Sequence, residues 1–210
     1  MTLETDKSLG GVGAILLVIG TIPFAGFYTG ILAIVGLILV LISLKGLSSY
    51  YSESGIFNNA LYAFIIAIVG GIVSIVAIVT AAIGFLDKIG FHPSNWTDPT
   101  VWRNFNWSNI SWDTVSPYIA AIVLSLVMLF VFAIVTAIFL RRSLNSLSSK
   151  SGVGMFGTAG LMILIGAVLT IILVGFIILW VAMILLAVAF FSIKTQAAQP
   201  TAPGPPPAQR

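Results

Sequence analysis

The chain contains no cysteine. That absence removes disulfide staples, thiolate metal sites and cysteine nucleophiles together, and leaves the redox compartment open. Charge is scarce as well: 7% of the 210 residues are Asp, Glu, Lys or Arg, against about 25% in an ordinary soluble domain. His92 is the sole histidine. Nine Lys plus Arg against six Asp plus Glu give +3, too few cations for the clustered basic face that nucleic acid requires. No charged residue falls inside a long apolar stretch. Such residues are the usual markers of proton relays, ion paths and voltage sensors, so pumps and proton-coupled carriers are disfavoured, and the sequence names no biochemical activity.

What is abundant is apolar: 59% of residues are hydrophobic and 20 are Gly, the composition of a polytopic all-α membrane protein. The first seven residues carry Glu4 and Asp6 against Lys7, and no small-x-small pattern follows. The first apolar stretch therefore reads as a retained anchor and not as a secretory leader.

A bilayer core of about 30 Å needs about 20 helical residues. Four apolar blocks, at 9–44, 60–86, 118–140 and 152–193, are measured against that ruler. The second and third are one span each; the first and last are too long and must fold back. Thr21-Ile22-Pro23-Phe24-Ala25-Gly26 places the first turn, because Pro is excluded from a helix interior and Gly tolerates turn geometry. Sliding the chain by 149 residues sets Thr21, Ile22, Gly26, Phe27, Ala33, Leu37, Ser43 and Lys45 on Thr170, Ile171, Gly175, Phe176, Ala182, Leu186, Ser192 and Lys194. This internal repeat puts the second turn at 170–175. Six spans are expected, near 9–22, 26–45, 58–86, 116–140, 153–170 and 174–194, as three consecutive helical hairpins in one membrane domain over 1–194. Asn58 and Asn59 are placed as caps at the start of the third span.

Seven of the nine cations, Lys7, Lys45, Arg141, Arg142, Lys150, Lys194 and Arg210, lie on the side where the hairpins open; Lys88 and Arg103 lie on the other. The positive-inside rule then puts both termini in the cytoplasm of a plasma-membrane protein and the 87–114 loop outside. That loop carries three glycosylation acceptor patterns, at Asn95, Asn106 and Asn109, so a glycoprotein is expected. Trp96, Trp102, Trp107 and Trp112 share it, with rings suited to the headgroup level or to an outer-surface partner. His92, Asp87, Asp98 and Asp113 have no metal-ligand spacing, and no nucleophile-base pattern accompanies the histidine. No catalytic, cofactor-binding or metal residue is assigned.

Within the spans, Ser74, Thr80, Ser125, Thr136 and Thr170 are read as helix-helix glue. Gly26 with Gly30, and Ala63, Ala67 and Gly71, are read as close-packing faces within the chain or along a homo-oligomer seam. Residues 195–210 have five Pro among the last eleven and read as a disordered tail.

Three segments carry a family resemblance: Lys7-Ser-Leu-Gly-Gly-Val-Gly; Leu44-Lys-Gly-Leu-Ser with Tyr50-Tyr51 and Ile56-Phe-Asn-Asn-Ala; and the run from Ala159 to Gly175. They resemble the archaeal membrane family known as domain of unknown function 996. The likeness covers nearly the whole chain except the outer loop and tail. It implies an archaeal multi-spanning protein with no established activity, cofactor or catalytic residue to carry over. The expectation from residues and resemblance together is a non-enzymatic scaffold or membrane-organising factor, whose partners are the lipid bilayer and another membrane protein or a second copy. The alternative is a channel or facilitator for small neutral or lipophilic solutes.

Overall fold

The structure is a computed structural model that describes residues 2–22, 27–91, 97–103 and 110–194. Their regular structure is entirely helical: α1 (Leu3–Gly20), α2 (Phe27–Tyr50), α3 (Ser54–Lys88), the short α4 (Pro99–Arg103), α5 (Trp112–Ser151), α6 (Met155–Leu169) and α7 (Val174–Phe191), with a 3-10 turn at Thr170–Ile172. Five segments, Gly30–Tyr50, Ser54–Lys88, Trp112–Ser151, Met155–Ile172 and Val174–Phe191, are long and apolar enough to cross a membrane. The chain is a membrane protein. Six long helices stand where six spans are expected, but α1 does not qualify as the sixth, because Glu4, Asp6 and Lys7 lie within its 18 residues.

Several helices outrun the apolar blocks, for a local reason in each case. Thr2 caps α1, its hydroxyl accepting the Thr5 N–H at 3.4 Å, and Glu4 and Asp6 complement the helix dipole in the first turn. Helix α2 continues to Tyr50 and α5 to Ser151 because Leu44 and Leu47, and Leu144 and Leu147, recur at three-residue spacing and are buried. A polar stretch with one apolar stripe is still a helix when that stripe finds a core. Ser111 caps α5, accepting the Thr114 N–H at 3.3 Å. Helix α3 begins at Ser54 with Glu53 at its N-cap position, so Asn58 and Asn59 are not caps. Asn59 lies inside the helix and donates its amide to the Gly55 carbonyl at 2.7 Å.

The extensive helix pairings are α1 with α2, α3 with α5, and α6 with α7; α5 also packs on α6, α2 on α3, and α1 on α7, which closes the bundle. Close approach is set by glycines. A Cβ at Gly13 would run into the Gly36 carbonyl of α2, one at Gly20 into the Ala33 backbone, one at Gly70 into the Phe132 ring, and one at Gly175 into the Gly166 carbonyl. These are not the glycines singled out from spacing: a Cβ at Gly30 or Gly71 would meet nothing within 4 Å. Ala63 is buried, whereas Ala67 is only partly so. Gly26 lies outside the described residues. Four-residue spacing identifies a smooth strip of helix, but only the facing helix decides whether the strip is used.

The core is concentrated toward the end where α2 and α5 terminate. Leu44, Leu47, Ile56, Leu144, Leu147, Phe156, Phe190 and Ile193 are all at most 2% exposed. Phe156 and Phe190 stack edge to face there, with centroids 5.1 Å apart. By contrast, the far halves of α3 and α5 touch mainly each other, and Ile72, Ile75, Val76, Val123 and Leu124 are each more than half exposed.

Candidate functional site

Two features concentrate unusual chemistry: a polar network in the buried end of the bundle, and an apolar cavity at mid-height. Their residues come from different helices, and neither was identifiable as a unit from the sequence.

The network is built from a duplicated element. Ser43-Leu44-x-x-Leu47-Ser48-Ser49 at the end of α2 recurs 100 residues later as Ser143-Leu144-x-x-Leu147-Ser148-Ser149 at the end of α5. In each copy the first serine donates across to a backbone carbonyl of the preceding long helix, Ser43 to Asp6 and Ser143 to Ile56, both at 2.6 Å. The serine five residues on closes the following turn: Ser48 donates to the Glu53 carbonyl at 2.8 Å and Ser148 to the Val153 carbonyl at 3.1 Å. Both turns pass through the left-handed region, at Ser52 (φ 51°) and Gly152 (φ 71°). Lys150 joins them by an ion pair to Glu53 at 3.4 Å. The signal lay in plain view as an identical heptad pattern, hidden because a shift of 149 aligns the ends of different helices.

Asp6 is the unexpected member. It is 1% exposed, lodged against Gly46, where a Cβ would collide with its carboxyl group. Its Oδ1 has no hydrogen-bond partner among the described residues. Burial raises its pKa above the ordinary carboxylate value, because the charged form is desolvated. Lys7 beside it pairs with Glu4 at 2.9 Å and donates to the Ile193 carbonyl at 3.4 Å.

The cavity has a volume of about 280 Å³, close to the smallest typical ligand pockets at roughly 300 Å³. It lies between the α3–α5 pair and the α6–α7 pair, with Ala67, Gly71, Phe132, Thr136, Ala167 and Thr170 in its wall. Thr170 spends its hydroxyl on the Ala167 carbonyl at 2.6 Å, as Ser125 does on Ala121 at 2.8 Å. The hydroxyls of Thr136 and Ser74 are buried and have no partner among the described residues. The five expected hydroxyls are therefore not uniform glue.

The residues of the 87–114 connection fare differently. Asn95, Asn106, Asn109, Trp96, Trp107 and His92 lie outside the described residues, as does the 195–210 tail. Trp102 falls within α4, and Trp112, at the first position of α5, is 73% exposed. Ser111, the third residue of the last acceptor pattern, is the α5 cap. Asp98 starts α4: its Oδ1 accepts the Thr100 hydroxyl at 2.7 Å and the Thr100 N–H at 2.8 Å. Those bonds hold its carboxyl below the usual range. Among the described residues no three His, Asp or Glu side chains gather as a cation site.

A family described as "Protein of unknown function (DUF996)" matches residues 32–184. The "Uncharacterized protein MJ1644" of Methanocaldococcus jannaschii is 28% identical over 193 residues, which cover 92% of this chain and 94% of that protein. No solved structure matches.

Proposed function

Because the chain belongs to DUF996, a family of unknown function, we propose its role from its own architecture: a non-enzymatic scaffold or organising factor in an archaeal plasma membrane. In this reading the helices form three consecutive hairpins with both termini cytoplasmic and the connection between α3 and α5 outside. The observation that carries it is where the polar groups are spent. Along α5 there is no Asp, Glu, Lys, Arg or His between Asp113 and Arg141, and from the Glu53 N-cap along α3 none before Asp87. The best-buried polar groups, Ser43 and Ser143, are bonded to helix backbone. Such a molecule holds a shape in the bilayer and has no acid-base pair with which to do chemistry there. Its exposed Trp112 and the outer connection are the surfaces offered to a partner. Recovery in mild detergent tests this: a second membrane protein or a further copy should accompany the chain in stoichiometric amount, and recovery of a bare monomer under several extraction conditions would refute it.

The cavity favours a second reading, a facilitator for small lipophilic solutes, since its wall is apolar apart from the Thr136 and Thr170 side chains. Flux into proteoliposomes of verified insertion decides it, with uptake no faster than into empty vesicles excluding it.

A further inference from the structure

The lengths of the helices and their mutual register fix how deep each one sits. Two aromatic pairs mark the α3–α5 pair: Tyr62 with Phe139, centroids 5.8 Å apart, near one end, and Phe85 with Tyr118, 5.7 Å apart, near the other. Arg142 lies over Phe139 at 5.7 Å, and Asp87 and Lys88 follow just beyond Phe85. The 23 residues from Tyr62 to Phe85 rise about 35 Å at 1.5 Å each. That is the thickness of a hydrocarbon core of about 30 Å with an aromatic belt at each interface.

The tip of the α6–α7 pair falls in the middle of this interval. Thr170 borders the same cavity as Gly71 and Leu129. Leu129 is 12 residues from Arg141 and 11 from Tyr118, about 16–18 Å from each. Helix α1 ends no deeper: the Val18 carbonyl accepts the Trp180 indole N–H at 3.1 Å, and Thr21 donates to the Met183 sulfur at 3.7 Å. Both of those partners lie on α7 beyond its start at the tip. The α6–α7 tip is also apolar on its surface, with Ile171 and Leu173 each 73% exposed. Its backbone is closed by the bonds of Leu173 N–H to Thr170 and Phe176 N–H to Leu173, at 3.0 and 3.2 Å, as a turn in hydrocarbon requires.

We propose that only α3 and α5 cross the bilayer, that the α6–α7 pair enters from the side where α2 and α5 end and turns back at mid-depth, where α1 also ends, and that chains of lipids from the opposite leaflet fill the recess above these ends and reach the 280 Å³ cavity. Beyond those ends α3 and α5 leave Ile75, Val79, Val123 and Leu126 exposed, and lipid chains, not a protein partner, are the occupant argued for, because a bilayer supplies aliphatic chains at that depth on every side. This inference requires only that the chain is in a membrane, and stands or falls apart from the scaffold reading.

The absence of cysteine makes the test clean. Single variants Ile22→Cys, Ile171→Cys and Leu173→Cys at the tips, with Ser149→Cys and Thr114→Cys at the two ends, are reconstituted as full chains and checked for wild-type helicity and elution. An impermeant maleimide should label Ser149→Cys from one face and Thr114→Cys from the other, and the tip variants from neither. Spin labels at the tips should collide freely with dissolved oxygen and not with an aqueous nickel chelate. Tip labelling from the Thr114 side would overturn the proposal, placing the turns at the far interface. Protection from both oxygen and nickel would overturn it too, by showing that protein and not lipid covers the tips.

Discussion

The duplicated turns at Ser52 and Gly152 allow one backbone term to be measured in both directions. Both residues have positive φ, at 51° and 71°, a region that costs an L-residue about 1–2 kcal/mol relative to its right-handed counterpart and costs Gly little. A Cβ at Gly152 would meet nothing within 4 Å, so Gly152→Ala adds no contact and no clash, and its effect is conformational. We expect it to destabilise by about 1 kcal/mol. Ser52 is exposed, and its hydroxyl has no hydrogen-bond partner among the described residues; Ser52→Gly should therefore stabilise by a similar amount, about 1 kcal/mol less the added freedom of the unfolded chain. For a chain of this size 1 kcal/mol corresponds to a shift of about 2–4 °C in the melting midpoint. Thermal unfolding in mild detergent, followed by circular dichroism and confirmed by graded SDS unfolding, measures both variants. The double variant should return to within about 0.5 kcal/mol of the parent if the turns act independently. Opposite signs are the decisive result. If Ser52→Gly lowers the midpoint as much as Gly152→Ala does, the two turns are not conformational equivalents, and the parallel between the α2–α3 and α5–α6 corners fails.

Four further outcomes follow from the packing. Asp6 has a pKa raised by burial, so its contribution to stability is fully present below the unfolded value near 3.8 and is lost as pH rises through the folded one; Asp6→Asn should raise the melting midpoint at pH 7 and leave it unchanged at pH values where the carboxyl is protonated in both states. A gain that persists undiminished in acid would show that the charge is not its cause. Ser143→Ala removes a buried 2.6 Å bond to Ile56 and should cost about 1 kcal/mol, whereas Ser149→Ala, which loses an exposed bond within its own helix, should be neutral in the same melt. Gly13→Ala pushes a methyl into the Gly36 carbonyl and should destabilise by about 1–3 kcal/mol, with loss of α1–α2 contact visible as faster proteolysis after α1. Thr136→Val deletes a buried unpartnered hydroxyl at constant shape, and should be neutral or stabilising by up to about 1 kcal/mol; a loss of stability would mean that the hydroxyl has a partner in the membrane.

How much of this was legible in the residues varies with the kind of signal. Apolar length announced a helical membrane chain, since an 18-residue run without charge has few other homes. The ends of the helices were less legible, because α2 and α5 continue through polar sequence on the strength of Leu44, Leu47, Leu144 and Leu147 alone, and a span ruler stops at the first Lys or Arg. The burial of Asp6 was not legible for the complementary reason: nothing about one carboxylate near a terminus announces it until a glycine, here Gly46, is seen to open a place for it. Helix contacts were the least legible. A Cβ at Gly30 or at Gly71, which borders the cavity, would meet nothing within 4 Å in this chain, while Gly13, Gly20, Gly70 and Gly175 are pressed against backbone or ring, and only the facing helix's position separates the two classes. The cavity belongs to the same category, assembled from α3, α5, α6, α7 and the turn between the last two.

The length of α5 has a mechanical meaning. Its forty residues run from Trp112, at the end of the connection from α3, to Ser151, with Pro117 the single break in its backbone donors, and they carry Leu144 and Leu147 into the most tightly filled part of the bundle. That connection is joined covalently to the remainder of the chain only through this helix and α3. Whatever grips it therefore pulls on two long rods, and a tilt of those rods by a few degrees is delivered to the serine corners at the opposite end.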